Sequence, residues 1–323
     1  MLFDILGIIV SSVFLILSTR VAVGAFEKLV VKLKVDGLVL AAIMVALSTS
    51  LPELFVGIAA ALEGTPEISL GNVLGSNVAN VSLVIGGASL LAGSVSVVGD
   101  FMKREFVAAF LAGLMPLLLI LDGKLSRLDG VILLVAYAFY IRDVVIAGKH
   151  KSLAEKGVKK HGLFTRLKWI HNNHVDGWAV KLMLGVAGVI VGADLLVRFA
   201  SGLATDLGVP AFLIGILVVS VGTSLPELVL ETQAIKRKDV ALVFGDLLGS
   251  TVANSTLIIG ITTLIHPIEI TKVSKYAVAG GSFIVVFSLL WAFSMTKKKL
   301  DRWEALVLLG LYVMFVGLEL VVG

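Results

Sequence analysis

The chain contains no cysteine. That excludes disulfides and thiolate metal sites and leaves the redox compartment unread. Charge is also scarce: 15% of the 323 residues are Asp, Glu, Lys or Arg, against about 25% in a soluble domain. Proline is limited to six residues, so one inside an apolar run stands out. The five histidines are His150, His161, His171, His174 and His266, and four of them share one polar segment. No buried His-rich metal site is therefore visible. No H-E-x-x-H pair or other recognisable catalytic pairing lies in the apolar runs, which argues against an intramembrane enzyme. What the chain has in abundance is apolar residues, 58% of the total, with a mean hydropathy of +1.04. This is the composition of a multi-span membrane protein.

Apolar segments long enough to cross a bilayer fall at roughly 3–23, 37–62, 68–94, 105–121, 128–146, 177–197, 209–233, 241–265, 275–294 and 303–322, which predicts ten spans. The first lacks a basic leader and a small-residue cleavage site, so it reads as a retained span and not as a signal peptide. Loops after odd-numbered spans hold 22 of the 27 Lys and Arg residues. Positive charge stays on the cytoplasmic side, so both termini are expected outside. The net charge of +4 is then a topology signal and not a nucleic-acid footprint. Residues 147–176 are polar and basic. Leu163, Phe164, Leu167, Trp169 and Ile170 among them fit either a short helix on the inner membrane surface or a solvated linker.

The sequence repeats itself. "STSLPEL" at 48–54 is answered by "GTSLPEL" at 222–228, and "GNVLGSNVANVSLVIG" at 71–86 by "GDLLGSTVANSTLIIG" at 245–260. Every matched pair is 174 residues apart. The chain therefore reads as a tandem duplication of about five spans each: 1–146, a cytoplasmic basic linker at 147–176, and 177–323. Five is odd, so the second copy enters the membrane from the opposite side. The expected fold is all-α and integral to the membrane, with ten helices in two inverted-topology repeats. In transporters built this way the substrate site lies near the midplane, where interrupted helices meet.

Pro52 and Pro226 each remove a helical N–H and are expected to break the second and seventh spans. Alone, either would read as an ordinary kink. Glu53 and Glu227 change that reading. A carboxylate at the bilayer centre costs at least about 2.5–3.5 kcal/mol, and no Lys or Arg lies in either span's core to neutralise it. A cation that comes and goes fits better than a protonated structural Glu. Ser76 and Asn80 share one helix face, as do Ser250 and Asn254. The candidate ligands are all hard oxygens from carboxylate, amide, hydroxyl and backbone carbonyl groups. They favour Ca²⁺ and Na⁺ over Zn²⁺, Cu or Ni²⁺. A shared site explains exchange, because loading one ion empties the other. Paired carboxylates suit occluded binding better than a channel pore.

The doubled motif resembles the alpha repeats of the calcium/cation antiporter superfamily, in its archaeal and bacterial sodium/calcium exchanger branch. The resemblance covers the whole ten-span plan. It implies an antiporter that exports Ca²⁺ against inward Na⁺, three Na⁺ per Ca²⁺, by alternating access, with the first and sixth spans sliding against a bundle that holds the ions. Carried over by position, Glu53 and Glu227 would coordinate Ca²⁺ with the carbonyls of Thr49 and Thr223. Ser50, Ser76, Ser224 and Ser250 would add Na⁺ ligands, with the carbonyls of Ala46 and Ser220. Asn80 and Asn254 would line the centre. Asn254, where potassium-dependent relatives carry Asp, favours potassium independence. The T-S-L-P-E pattern favours Na⁺ over H⁺ coupling, with H⁺/Ca²⁺ exchange as the alternative. No cofactor is implied beyond the transported ions, the partner is the lipid bilayer, and the protein would reside in the cell membrane. One departure stands out: Asn72 is answered by Asp246, expected near the cytoplasmic mouth. It reads either as an attractor of entering cations, or as a helix cap or an ion-pair partner of Lys236, Arg237 or Lys238.

Overall fold

The computed structural model describes residues 1–32, 49–96, 100–154, 176–269, 274–296 and 299–322. Almost all of it is helix, because an apolar chain in hydrocarbon must satisfy its own backbone. In chain order the helices are α1 (Leu2–Lys32), α2 (Leu51–Leu62), α3 (Pro66–Ala79, continued by Ile85–Ala92), α4 (Asp100–Leu119), α5 (Arg127–Ala154) and α6 (Asp176–Leu207). They continue with α7 (Ala211–Ile214, continued by Ser220–Lys236), α8 (Val240–Val252, continued by Ile259–Ile265), α9 (Ser274–Thr296) and α10 (Arg302–Val322). Among the described residues, eight helices are long and apolar enough to cross a membrane: α1, α3, α4 and α6 to α10. Helix α2 is apolar but 12 residues long; residues 33–48, which include Ala46 and the start of the expected second span, lie outside the described residues. Helix α5 runs past the expected boundary at 146 to Ala154, because Lys, Leu and Ala sustain a helix as it leaves the membrane. The rest of the expected linker, 155–175, lies outside the described residues.

Three helices contain a widened π turn that composition does not announce: Asn80–Val84 in α3, Gly215–Val219 in α7 and Ala253–Ile258 in α8. Such turns accumulate at functional sites because they re-aim side chains without ending the helix. They also bear on the two prolines. Pro52 sits in the first turn of α2, where its missing N–H would have had no helical partner anyway. Pro226 lies inside α7, which runs through it to Lys236. The helix departs from α geometry upstream of the proline instead, at the π turn Gly215–Val219.

Two short antiparallel ladders tie the helix ends. Strand β1 (Val95–Ser96) pairs with β4 (Lys299–Leu300), and β2 (Lys124–Leu125) with β3 (Ile268–Glu269). Each ladder joins two loops that the Lys and Arg distribution assigns to one side of the membrane. The ion pairs Arg104–Asp143 (2.7 Å) and Arg198–Glu63 (3.0 Å) also join segments assigned to one side.

Helices α3 and α8 form the centre: 83% and 78% of their spans are buried, against 28% for α1 and α10. Polar residues survive on α3 and α8 because those helices face protein and not lipid. A cluster of Phe106, Phe244, Phe283, Phe287 and Trp291 fills the space between α4, α8 and α9. Helices α1 and α6 pack along each other at the periphery. There Gly185, Gly188 and Gly192 meet Ala22, Ser18 and Leu15, and Phe3 and Phe199 lie 5.5 Å apart.

Close approach of α3 and α7 depends on Gly75. A Cβ there would lie 2.6 Å from the Ile216 carbonyl oxygen and 2.6 Å from Ser220 Oγ. The neighbour on one side is backbone, so it has little room to give. Gly75→Ala should destabilise the protein by about 1–3 kcal/mol, measured as a lowered midpoint of thermal unfolding in detergent. An unchanged midpoint would show that the two helices part without cost.

Candidate cation site

The candidate residues collect where α2, α3, α7 and α8 cross. Thr49, Ser50, Glu53, Ser76, Asn80, Ser220, Thr223, Ser224, Glu227, Asp246, Ser250 and Asn254 are all buried. Ala46 lies outside the described residues. Glu53 and Glu227 are 0% and 1% exposed. Their environments are built by equivalent stretches of the two repeats. Glu53 lies in the first turn of α2, one residue after Pro52. Glu227 lies one residue after Pro226 on α7.

The hydrogen bonds exchange partners across the repeat. Thr49 Oγ1 donates to Asp246 Oδ1 (2.6 Å) on α8. Its counterpart Thr223 donates to Asn72 Oδ1 (3.0 Å) on α3. Adding 174 to Thr49 and Asn72 gives Thr223 and Asp246, so these are one contact formed twice. The Thr223 hydroxyl also stands 3.4 Å from Ser76 Oγ, lies within reach of the Ser220 backbone carbonyl at 3.3 Å, and lies alongside the Glu53 carboxylate. The Ser220 hydroxyl turns away from the centre and donates to the Ile216 carbonyl at 2.5 Å. At the centre, Asn80 Nδ2 donates to Ser250 Oγ (3.5 Å) and Asn254 Nδ2 to Asn77 Oδ1 (3.3 Å).

The atoms left over define the chemistry. Both Glu53 carboxylate oxygens, Glu227 Oε2, Asp246 Oδ2, Asn80 Oδ1, Asn254 Oδ1, Ser50 Oγ and Ser224 Oγ are buried with no hydrogen-bond partner among the described residues. Asn72 Nδ2, also without a partner among the described residues, can only donate, whereas the two serine hydroxyls can donate or accept. Buried polar groups are normally paired, and leaving so many acceptors unmet costs about 1–3 kcal/mol each. Bare oxygens from carboxylates, amides and hydroxyls suit a desolvated hard cation. Among the described residues, no ion pair involves Glu53, Glu227 or Asp246.

Two acidic residues refine the sequence reading. Asp246 does not cap its helix: Asp239 does, accepting from the Leu242 backbone N–H at 3.1 Å. Nor does Asp246 pair with a cation of the Lys236–Lys238 cluster among the described residues. It is 2% exposed and belongs to the carboxylate cluster, held by Thr49. Glu231 was not singled out by the sequence motif. It is 1% exposed, with Oε2 unpartnered among the described residues, and it faces Asp246 and Glu227 electrostatically. Its spacing of four from Glu227 puts both on one helix face, which was a readable signal. It escaped because its counterpart in the first repeat is Gly57, so comparing the repeats conceals it. Asn77 and Ser255 were likewise missed, since their counterparts are Thr251 and Val81.

Known proteins share this architecture. The family model described as sodium/calcium exchanger protein matches residues 3–143 and again 178–321. The sodium/calcium exchanger MaX1 of Methanosarcina acetivorans is 28% identical over 97% of each chain. An uncharacterized membrane protein of Methanocaldococcus jannaschii, MJ0091, is 29% identical over 90% of this chain and 89% of its own. The solved structure of the sodium-calcium exchanger NCX_Mj soaked with Na⁺ and Sr²⁺ superposes with a TM-score of 0.66 at 26% identity, covering 98% of each chain. With most of its length matched in two blocks, the chain belongs to the sodium/calcium exchanger protein family.

Proposed function

We propose that the protein is a secondary antiporter that moves Ca²⁺ out of the cell against inward Na⁺ by alternating access. The observation that carries this reading is the pair Glu53 and Glu227: two buried carboxylates, at equivalent repeat positions, with no cationic side chain among the described residues paired to them and bare oxygens around them. Two carboxylates balance one Ca²⁺, and the same oxygens hold Na⁺ in its absence. The ions therefore exclude each other by charge. In this reading the Thr49 and Thr223 carbonyls join the two glutamates around Ca²⁺. Ser50, Ser76, Ser224 and Ser250, with the carbonyls of Ala46 and Ser220, supply Na⁺ ligands, and Asn80 and Asn254 line the centre.

The proposed architecture is ten spans in two inverted repeats, 1–146 and 177–323, joined by a cytoplasmic linker, with both termini outside the cell membrane. The double match of one family model supports the duplication. The exchanged contacts Thr49–Asp246 and Thr223–Asn72 support a two-fold relation between the halves. The likeness to the sodium/calcium exchanger MaX1 and to the solved sodium-calcium exchanger NCX_Mj supports the choice of ions. The peripheral pair α1 and α6, packed through small residues, is the moving part in this reading. Asn254 at the centre favours potassium independence.

One observation favours a second reading. Glu227, Asp246 and Glu231 with Glu53 make four buried carboxylates, more negative charge than one Ca²⁺ balances. Protons would serve as the counter-ion in an H⁺/Ca²⁺ exchanger of the same fold. Uptake of ⁴⁵Ca²⁺ into proteoliposomes separates the two. An outward Na⁺ gradient should drive uptake, and a pH gradient alone should not; the reverse result rejects Na⁺ coupling.

Glu53→Gln and Glu227→Gln should each abolish exchange in the same assay, since an amide removes the charge and keeps the shape. Full activity in either variant removes that residue from the site. Asp246→Asn should be structurally mild, because Asn72 accepts the same threonine hydroxyl in the other half. Removing its charge from the cluster should weaken cytoplasmic Ca²⁺ affinity by about tenfold while the maximal rate persists. An unchanged half-saturating concentration would exclude Asp246 from attracting the ion.

A further inference from the structure

The two central asparagines are held differently. Asn254 donates through Nδ2 to Asn77 Oδ1 (3.3 Å), and Asn77 Nδ2 in turn donates to Ser255 Oγ (2.7 Å). All three residues are buried. Among the described residues the Asn80 side chain has only the long contact from Nδ2 to Ser250 Oγ (3.5 Å). The equivalent of Asn77 in the other half is Thr251, whose hydroxyl donates back to the Leu247 carbonyl of its own helix (2.8 Å). Among the described residues the relay therefore exists on one side of the site only.

A carboxamide is nearly symmetric in shape, so its hydrogen-bond partners decide which end faces which way. A cation needs the oxygen. With Nδ2 committed to Asn77, the Asn254 oxygen is the end left over, and it is buried with no hydrogen-bond partner among the described residues. A flipped amide would aim two N–H groups at the ion and leave Asn77 Oδ1 against an oxygen. We propose that Asn77 is a positioning residue: by accepting from Asn254 Nδ2 while anchored on Ser255, it fixes the Asn254 oxygen toward the cation site. Asn77 itself does not touch the ion. The proposal rests on the cation-exchange reading above.

The test is Ca²⁺ affinity of the full-length protein in detergent, by isothermal titration, for a double-mutant cycle. Asn77→Leu removes both partners at similar volume and should weaken Ca²⁺ binding by about fivefold to tenfold. A carboxylate presents oxygen in both orientations, so in an Asn254→Asp background the same Asn77→Leu change should alter affinity by less than about twofold. Ser255→Ala supplies a second route if Asn77→Leu does not fold. It loosens the anchor and should weaken binding in the wild-type background but not in Asn254→Asp. Equal losses in both backgrounds, or no loss in either, overturn the positioning role while wild-type Ca²⁺ binding leaves the exchanger reading standing. A wild-type protein that binds no Ca²⁺ removes both.

Discussion

Two carboxylates held away from water, with no basic side chain paired to them among the described residues, set the terms for everything around Glu53 and Glu227. Such groups are tolerated inside a membrane only when surrounded by protein. That requirement pulls α3 and α8 into the centre, where most of their surface is covered, and leaves α1 and α10 facing lipid. It also explains why the polar content of this apolar chain is concentrated and not scattered. Hydroxyls and amides that would be expensive elsewhere become the inner lining of one site.

The lining is made by near-duplicate sequences, yet it is not symmetric. Thr49 and Thr223 make the same contact twice, but the acceptor is Asp246 in one case and Asn72 in the other. Glu231 has Gly57 as its counterpart, and Asn77 has Thr251. Two departures add acidic groups on α7 and α8, and the third adds hydrogen-bonding capacity on α3. The duplication supplied a frame with paired oxygens, and the differences between the copies give the two sides different charge and different rigidity. In the proposed exchanger that asymmetry suits a site whose two faces meet different ion concentrations.

The helical irregularities are as purposeful as the side chains. The π turns at Asn80–Val84 and Ala253–Ile258 start at or just before the central asparagines, so the local widening of the helix aims those amides. The third, at Gly215–Val219, precedes Pro226 in α7. A π turn costs little when neighbouring helices are close enough to re-pair the loosened backbone. Glycines such as Gly75 and Gly71 provide that closeness.

The sequence by itself determined the membrane class, the duplication and the two glutamates. Those features rest on composition, on spacing and on the cost of charge in hydrocarbon, all of which are local or countable. It also pointed to Thr49, Ser76, Asn80 and their counterparts, because the repeat marks them twice. What it could not carry were features without a counterpart in the other copy, namely Glu231, Asn77 and Ser255, and the conformation around Pro226, which a proline alone leaves open. Only the tertiary structure decided that Asp246 is buried against Thr49 instead of capping its helix, since Asp239 lies nearer the helix start and takes that role. Only the packing of α3 against α8 decided which end of each amide is left unpaired. Hydrogen bonds between residues some 170 positions apart depend on where whole helices cross, and no local pattern of residues records that crossing.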